Sequence, residues 1–343
     1  MKTIVYLFVV VWVLGAAVAV AGPGGKHRLS VADGPAPAAD KLPPLLPIVR
    51  QAILAEAAGA TIEDCQRSTE EGEFVYEVEI TRKGVERSFS VGLDGGLRSR
   101  QYFLAELPAA VQQTIAALKT RGELGNIYWC NEAGDLVYEV EIGSGADKRF
   151  CTVAPDGTHL ATQRQFSELP PPAQKTITEQ ARADTISSVS RDETEVGEVF
   201  DAVLLRDGRR RIVSVNAAGA VTATQVLSVQ TPIAVQALLP RLLGEAKLIY
   251  LGECNEEGAT VYAVIAMRGG QREECVVDAE GKLLARVVSL ASLPEPAQKY
   301  LREQAAGARI VRIEKLADGT FSADLDRNGR KQVVTFTAAG AAH

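Results

Sequence analysis

Histidine is scarce in this chain of 343 residues, with three copies, at His27, His159 and His343. None lies at ligand spacing from a cysteine or an aspartate, so neither a zinc site nor a nucleophile–histidine pair is expected. Tryptophan is almost absent: Trp129 is the only copy after the first 21 residues. Excess positive charge is missing too. The formal net charge is −6, which excludes steering toward nucleic acid or an acidic membrane surface. No stretch beyond the N-terminus is long and apolar enough to span a bilayer. No cofactor, metal or small-molecule ligand is predicted, and no enzyme, because no nucleophile, metal or phosphate constellation can be assembled.

The N-terminus carries an address. Met1-Lys2 precedes an apolar run from Ile4 to Leu14, and small residues end in Ala19-Val20-Ala21. This reads as a secretory signal peptide over 1–21, cut after Ala21, with an uncleaved anchor as the alternative. The predicted location is periplasmic or extracellular, with no membrane span after cleavage. Residues 22–45 are rich in Pro, Gly and Ala and read as a tether.

The stretch VYEVEI occurs at 75–80 and again at 137–142, a step of 62 residues. The same step links Tyr76, Tyr138, Phe200 and Tyr262. It links Ile53, Ile115, Ile177, Leu239 and Leu301, and also Pro108, Pro170, Pro232 and Pro294. Gly95, Gly157, Gly219 and Gly281 form a further series, and three residues are lost before Phe321 and Gly340. Fixed periods of this kind mark repeats. Five are predicted: 46–107, 108–169, 170–231, 232–293 and a shortened 294–343 without room for its fourth strand.

Each repeat opens on Pro and a helical pattern. Val111, Ile115 and Leu118 share one helix face. Strands follow, separated by turns such as Pro155-Asp156-Gly157. In VYEVEI, Tyr138, Val140 and Ile142 alternate with Glu139 and Glu141, the pattern of a sheet with one buried and one wet face. The expected fold class is α+β: tandem repeats, each a helix packed on a three- to four-stranded antiparallel meander sheet.

Leu107-Pro108, Val111-Gln112, Ile115, Tyr138-Glu139-Val140-Glu141 and Asp156-Gly157, with their counterparts, resemble the PepSY-like family, which includes the β-lactamase-inhibitory-protein-like fold. The resemblance implies export, a helix-on-sheet fold and, as in some relatives, protein binding or enzyme inhibition. It brings no catalytic motif. Phe200-Asp201-Ala202-Val203 and Tyr262-Ala263-Val264-Ile265 depart from the pattern and replace the double Glu.

Cysteines raise the next question. Cys130 and Cys151 are 21 apart, as are Cys254 and Cys275, and the pairs sit 124 residues apart. In an exported chain this suggests a disulfide inside each of two repeats. In a plain meander, however, a strand lies between the partners, beyond the roughly 7 Å that a disulfide spans. The alternative is four reduced thiols. Cys65 falls where other repeats carry an aliphatic residue and reads as a small hydrophobe. Asp324 to Gly329 has the outline of a calcium loop, but Thr335 stands where the bidentate Glu belongs, so a hairpin turn is expected.

Glu77, Glu79, Glu139 and Glu141 are expected on the wet face, within reach of Arg87 and Arg149. Tyr128 and Trp129 are candidate anchors for a partner, with core packing as the alternative. The functional expectation is an exported, non-enzymatic protein whose exposed sheet faces bind another protein. A structural spacer of the cell envelope is the alternative.

Overall fold

The computed structural model describes residues 42–343 apart from 71–72, 133–134, 194–196, 208, 257, 270 and 328–329. The signal peptide and most of the tether lie outside the described residues. The chain begins with α1 (Pro47–Glu56), β1 (Thr61–Glu70), β2 (Glu73–Arg82), β3 (Val85–Gly92) and β4 (Leu97–Tyr102). Next come α2 (Ala109–Leu118), β5 (Leu124–Glu132), β6 (Asp135–Ile142), β7 (Arg149–Val153) and β8 (His159–Arg164). Then follow α3 (Pro171–Ala181), β9 (Thr185–Asp192), β10 (Val199–Arg206), β11 (Arg209–Asn216) and β12 (Val221–Gln225). After these lie α4 (Ile233–Leu243), β13 (Lys247–Glu256), β14 (Ala259–Arg268), β15 (Gln271–Asp278) and β16 (Leu283–Val287). The chain closes with α5 (Glu295–Gln304), β17 (Arg309–Leu316), β18 (Phe321–Arg327) and β19 (Arg330–Phe336).

The expected separate small sheet for each helix does not form. All 19 strands belong to one sheet. Each strand pairs antiparallel with the next in chain order, including the pairs that flank a helix: β4–β5, β8–β9, β12–β13 and β16–β17. The reason is edge chemistry. A strand leaving a helix with an open row of N–H and C=O groups finds the last strand before that helix directly beside it.

All five helices lie on one face. Val111, Ile115 and Leu118 pack with Tyr138, Val140 and Ile142. Ala173 and Ile177 meet Phe200, Ala202 and Leu204, and Val235 and Leu239 meet Tyr262 and Val264. The helix starts repeat one device. Gln112, Gln174, Gln236 and Gln298 donate through Nε2 to the carbonyls of Leu107, Leu169, Thr231 and Leu293, at 2.7–2.9 Å. The helices are tied to the sheet turns as well. Thr114 Oγ1 donates to the Gly157 carbonyl, and Thr176 Oγ1 to that of Gly219. At Gly157, with φ +87°, a Cβ would stand 2.8 Å from the backbone of Ala110. That glycine serves both the turn and the approach of the helix.

A twisted open sheet of more than about ten strands must curl. This one comes back on itself. Arg309, at the start of β17, donates to Thr158 Oγ1 in the β7–β8 turn, 151 residues earlier, at 2.8 Å. Nine strands therefore carry the sheet round to its own flank. The face opposite the helices becomes an interior, much as in a small barrel filled by side chains. Ile212, Tyr250, Cys254, Ala263, Ile265 and Val276 form a core there, separate from the helix-side cores.

Candidate binding surfaces

The coil corrects the expected wet face. Glu139 is 1% exposed and Glu141 6%, and Asp201 is buried as well. Only Glu77 and Glu79, next to the free end of the sheet, keep contact with solvent. Glu139 accepts from the Cys130 thiol at 3.8 Å, and Glu141 pairs with Lys148. Asp201 accepts from Ser214 Oγ at 2.5 Å.

Arg87 and Arg149 do not reach across to these glutamates. Arg87 forms a two-bond pair with Glu106, at 2.7 and 3.1 Å. Arg149 does the same with Glu168, at 2.5 and 3.0 Å. The two glutamates also accept from the backbone N–H of Phe103 and Gln165, capping the 3₁₀ turns that precede α2 and α3. The Arg87 guanidinium is the leading cause that holds the Glu106 carboxyl below its usual range. Burial pushes the Glu168 carboxyl up, but the hydrogen bonds from Arg149 and from Gln165 N–H, with the nearby arginine charge, together hold it below its usual range.

The four paired cysteines are corrected too. All five cysteines are unbridged and buried. Cys130 and Cys254 point into the interior face, beside Val137 and Ala263 respectively. Cys151 and Cys275 point to the helix side, beside Val140 and Val264. Each pair is separated by an intervening strand and faces opposite sides of the sheet, so bridging is geometrically closed. Their 124-residue spacing, twice the repeat step, records packing. Burial pushes the Cys65 and Cys275 thiols up to about 11.

Tyr128 is half-buried on the interior face, where burial pushes its hydroxyl pKa up. Trp129 is half-buried against the helix-side core around Ile115. Asp324 and Asp326 lie inside β18, which runs to Arg327 and pairs with β19 up to Arg327↔Arg330. They are strand residues, not loop ligands. Among the described residues no group of three or more His, Cys, Asp or Glu is placed to hold a metal ion.

An outer feature escaped the sequence reading. Leu227, Val229 and Ile233, in the approach to α4 and its first residue, are 61%, 75% and 83% exposed. The positions 62 residues before are Gln165, Ser167 and Pro171, and those 62 after are Ser289, Ala291 and Glu295. Setting the repeats side by side would have found it, because three large aliphatic side chains replace small or polar ones. A cavity of about 220 Å³ lies elsewhere, lined by Glu56, Arg82, Arg87, Arg100, Tyr102 and Glu106 among others. Its guanidinium groups are engaged: Arg82 on the carbonyls of Glu56 and Ala58, Arg87 on Glu106, Arg100 on Glu56.

No family model matches the chain, and no curated protein matches it. Among solved structures, a protein of Bacteroides eggerthii assigned to the periplasm is 20% identical, covering 35% of this chain and 89% of its own, with a TM-score of 0.28. A DUF2874 family protein from Bacteroides uniformis is 18% identical, covering 33% of this chain and 85% of its own, with a TM-score of 0.26. Likenesses this partial say nothing of what the chain does. Among the described residues, no helix is long and apolar enough to cross a membrane.

Proposed function

We propose that this chain is an exported, non-enzymatic binding protein, placed in the periplasm by its N-terminal signal, that recognises another protein. The observation carrying this reading is the patch of Leu227, Val229 and Ile233. Single exposed aliphatics are ordinary, but three within seven residues, at sites that are small or polar in neighbouring repeats, form an anchor cluster. The motif-level resemblance to the PepSY-like family supports the same class of activity. A passive envelope spacer is the second reading, favoured by the single sheet that joins all five helical units. A spacer has no use for a concentrated apolar patch.

The test is capture of a saturable partner from the envelope fraction by the mature chain, compared with Val229→Glu and Ile233→Glu. The expected result is one partner retained by the native chain and lost, at least tenfold in apparent affinity, by the variants. No saturable partner across several conditions, or equal capture by the variants, overturns the proposal.

A further inference from the structure

β1 differs from the other strands that follow a helix. β5, β9, β13 and β17 each carry a strand on both sides, the last strand before the helix and the next strand after. β1 pairs with β2, and among the described residues nothing pairs along its other side.

The four filled seams share one parity. The Leu251 carbonyl accepts from Val226 N–H at 2.8 Å, and the Ile313 carbonyl from Val288 N–H at 2.9 Å. Glu193 N–H donates to the Leu160 carbonyl, and Ala317 N–H to that of Leu284. By the repeat step, Leu251 and Ile313 correspond to Cys65, and Glu193 and Ala317 to Thr69. Cys65, Arg67 and Thr69 therefore present their backbone N–H and C=O to the free edge, while Gln66 and Ser68 bond to β2.

The seams also fix what such an edge accepts. Small residues, Ser99, Ala161, Ala223 and Ala285, face Cys130, Asp192, Cys254 and Leu316. The corresponding residue of β1 is Ser68. β4, β8, β12 and β16 carry arginines or no charge, and no acid. β1 carries Glu63, Asp64 and Glu70 against Arg67.

We propose that the free edge of β1 is a strand-addition site for a partner protein. It takes an extended, neutral-to-basic segment of five or six residues, antiparallel, with a small residue opposite Ser68. This rests on the reading of the chain as a protein binder but uses a different surface. The Val229 and Ile233 variants leave it intact, so either site can fail alone.

The probe is an end-blocked peptide with the sequence of β4, LRSRQY, titrated into the full mature chain. At saturation, amide exchange at Arg67 and Thr69 is expected to slow at least tenfold, with Gln66 and Ser68 unchanged. Methylating the peptide amides equivalent to Arg100 and Tyr102 should abolish binding. Methylating those equivalent to Ser99 and Gln101 should not. Arg67→Pro removes an edge amide without touching the β1–β2 ladder, and should weaken binding at least tenfold with the unfolding midpoint little changed. Binding indifferent to which amides are methylated overturns the proposal. So does unchanged exchange at millimolar peptide, or exchange at Arg67 and Thr69 already slow without peptide.

Discussion

Arg312 is the residue whose removal should reveal how the coiled sheet is locked. It donates through Nη1 to Glu274 at 2.8 Å and through Nε to Glu314 at 2.7 Å, joining β15 to β17 on the interior face. Burial pushes the Glu274 carboxyl up, but Arg312 and Arg272 outweigh it and hold it below its ordinary range. Burial of Glu314 is only partly offset by Arg312, and its pKa stays raised. Arg312→Met would leave two carboxylates in the interior with one cation between them. Breaking a buried pair in this way costs about 3–5 kcal/mol at neutral pH. The pH dependence has a definite sign. A carboxyl with a raised folded pKa binds its proton more tightly when folded, so its contribution falls as pH rises from its ordinary value, about 4.3, through the folded one. Losing Arg312 moves Glu274 into the same class and extends that window upward. The penalty should therefore be largest near pH 7.5 and shrink clearly by pH 5. Equilibrium urea unfolding followed by circular dichroism at both pH values measures it. Adding Glu274→Gln and Glu314→Gln should restore most of the loss. A penalty below about 1 kcal/mol, or one equal at both pH values, would refute the reasoning.

Two further outcomes test the fold directly. Exported chain should have an intact mass showing all five cysteines reduced, and Cys65 and Cys275, at about 11 instead of 9.0, should alkylate about a hundredfold more slowly than free thiols at pH 8. A mass lower by two or four hydrogens would contradict the opposed faces. Gly157→Ala should destabilise by roughly 1–3 kcal/mol, because it adds a positive-φ strain and a 2.8 Å clash with Ala110. Gly59→Ala, also at positive φ but with nothing within 4 Å, should lose less in the same urea titration.

Much of the helix side was legible because its rules are local. Val111, Ile115 and Leu118 share a helix face at spacings any helix imposes, and Tyr138, Val140 and Ile142 alternate as any half-buried strand does. The recurring Gln after Val111 was visible as a pattern; its job, bonding the carbonyl just before the opening proline, required coordinates. The joined sheet was not legible, because alternation says which face a strand buries and nothing about which strand lies beside it. Nor was the fate of Glu139. Two glutamates alternating with apolar residues describe a wet face until a contact such as Arg309–Thr158 brings the sheet round over it. The cysteines mislead for the same reason: a shared spacing suggests pairing, but Cys130 lies opposite Val137 and Cys151 opposite Val140, and those two residues of β6 are three apart and so face opposite sides.

The coil also explains where the Glu pattern fails. On the strand that follows each first strand, the interior position is Glu79 in β2, exposed and opposite Ser88. In β6 it is Glu141, buried and paired with Lys148. In β10 and β14 it is Val203 and Ile265, both buried. Charge gives way to hydrocarbon as the sheet closes on itself, because an ion deep in the interior needs a partner that a methyl group does not. The two ends of this series should respond oppositely to exchange. Ile265→Glu would place a buried carboxylate directly across the ladder from the half-buried Glu274, and should destabilise by several kcal/mol. Glu79→Ile, at the open end, should stay within about 0.5 kcal/mol of the native chain. Comparable losses at the two positions would mean that β14 faces solvent as β2 does, which a sheet coiled around its own interior does not allow.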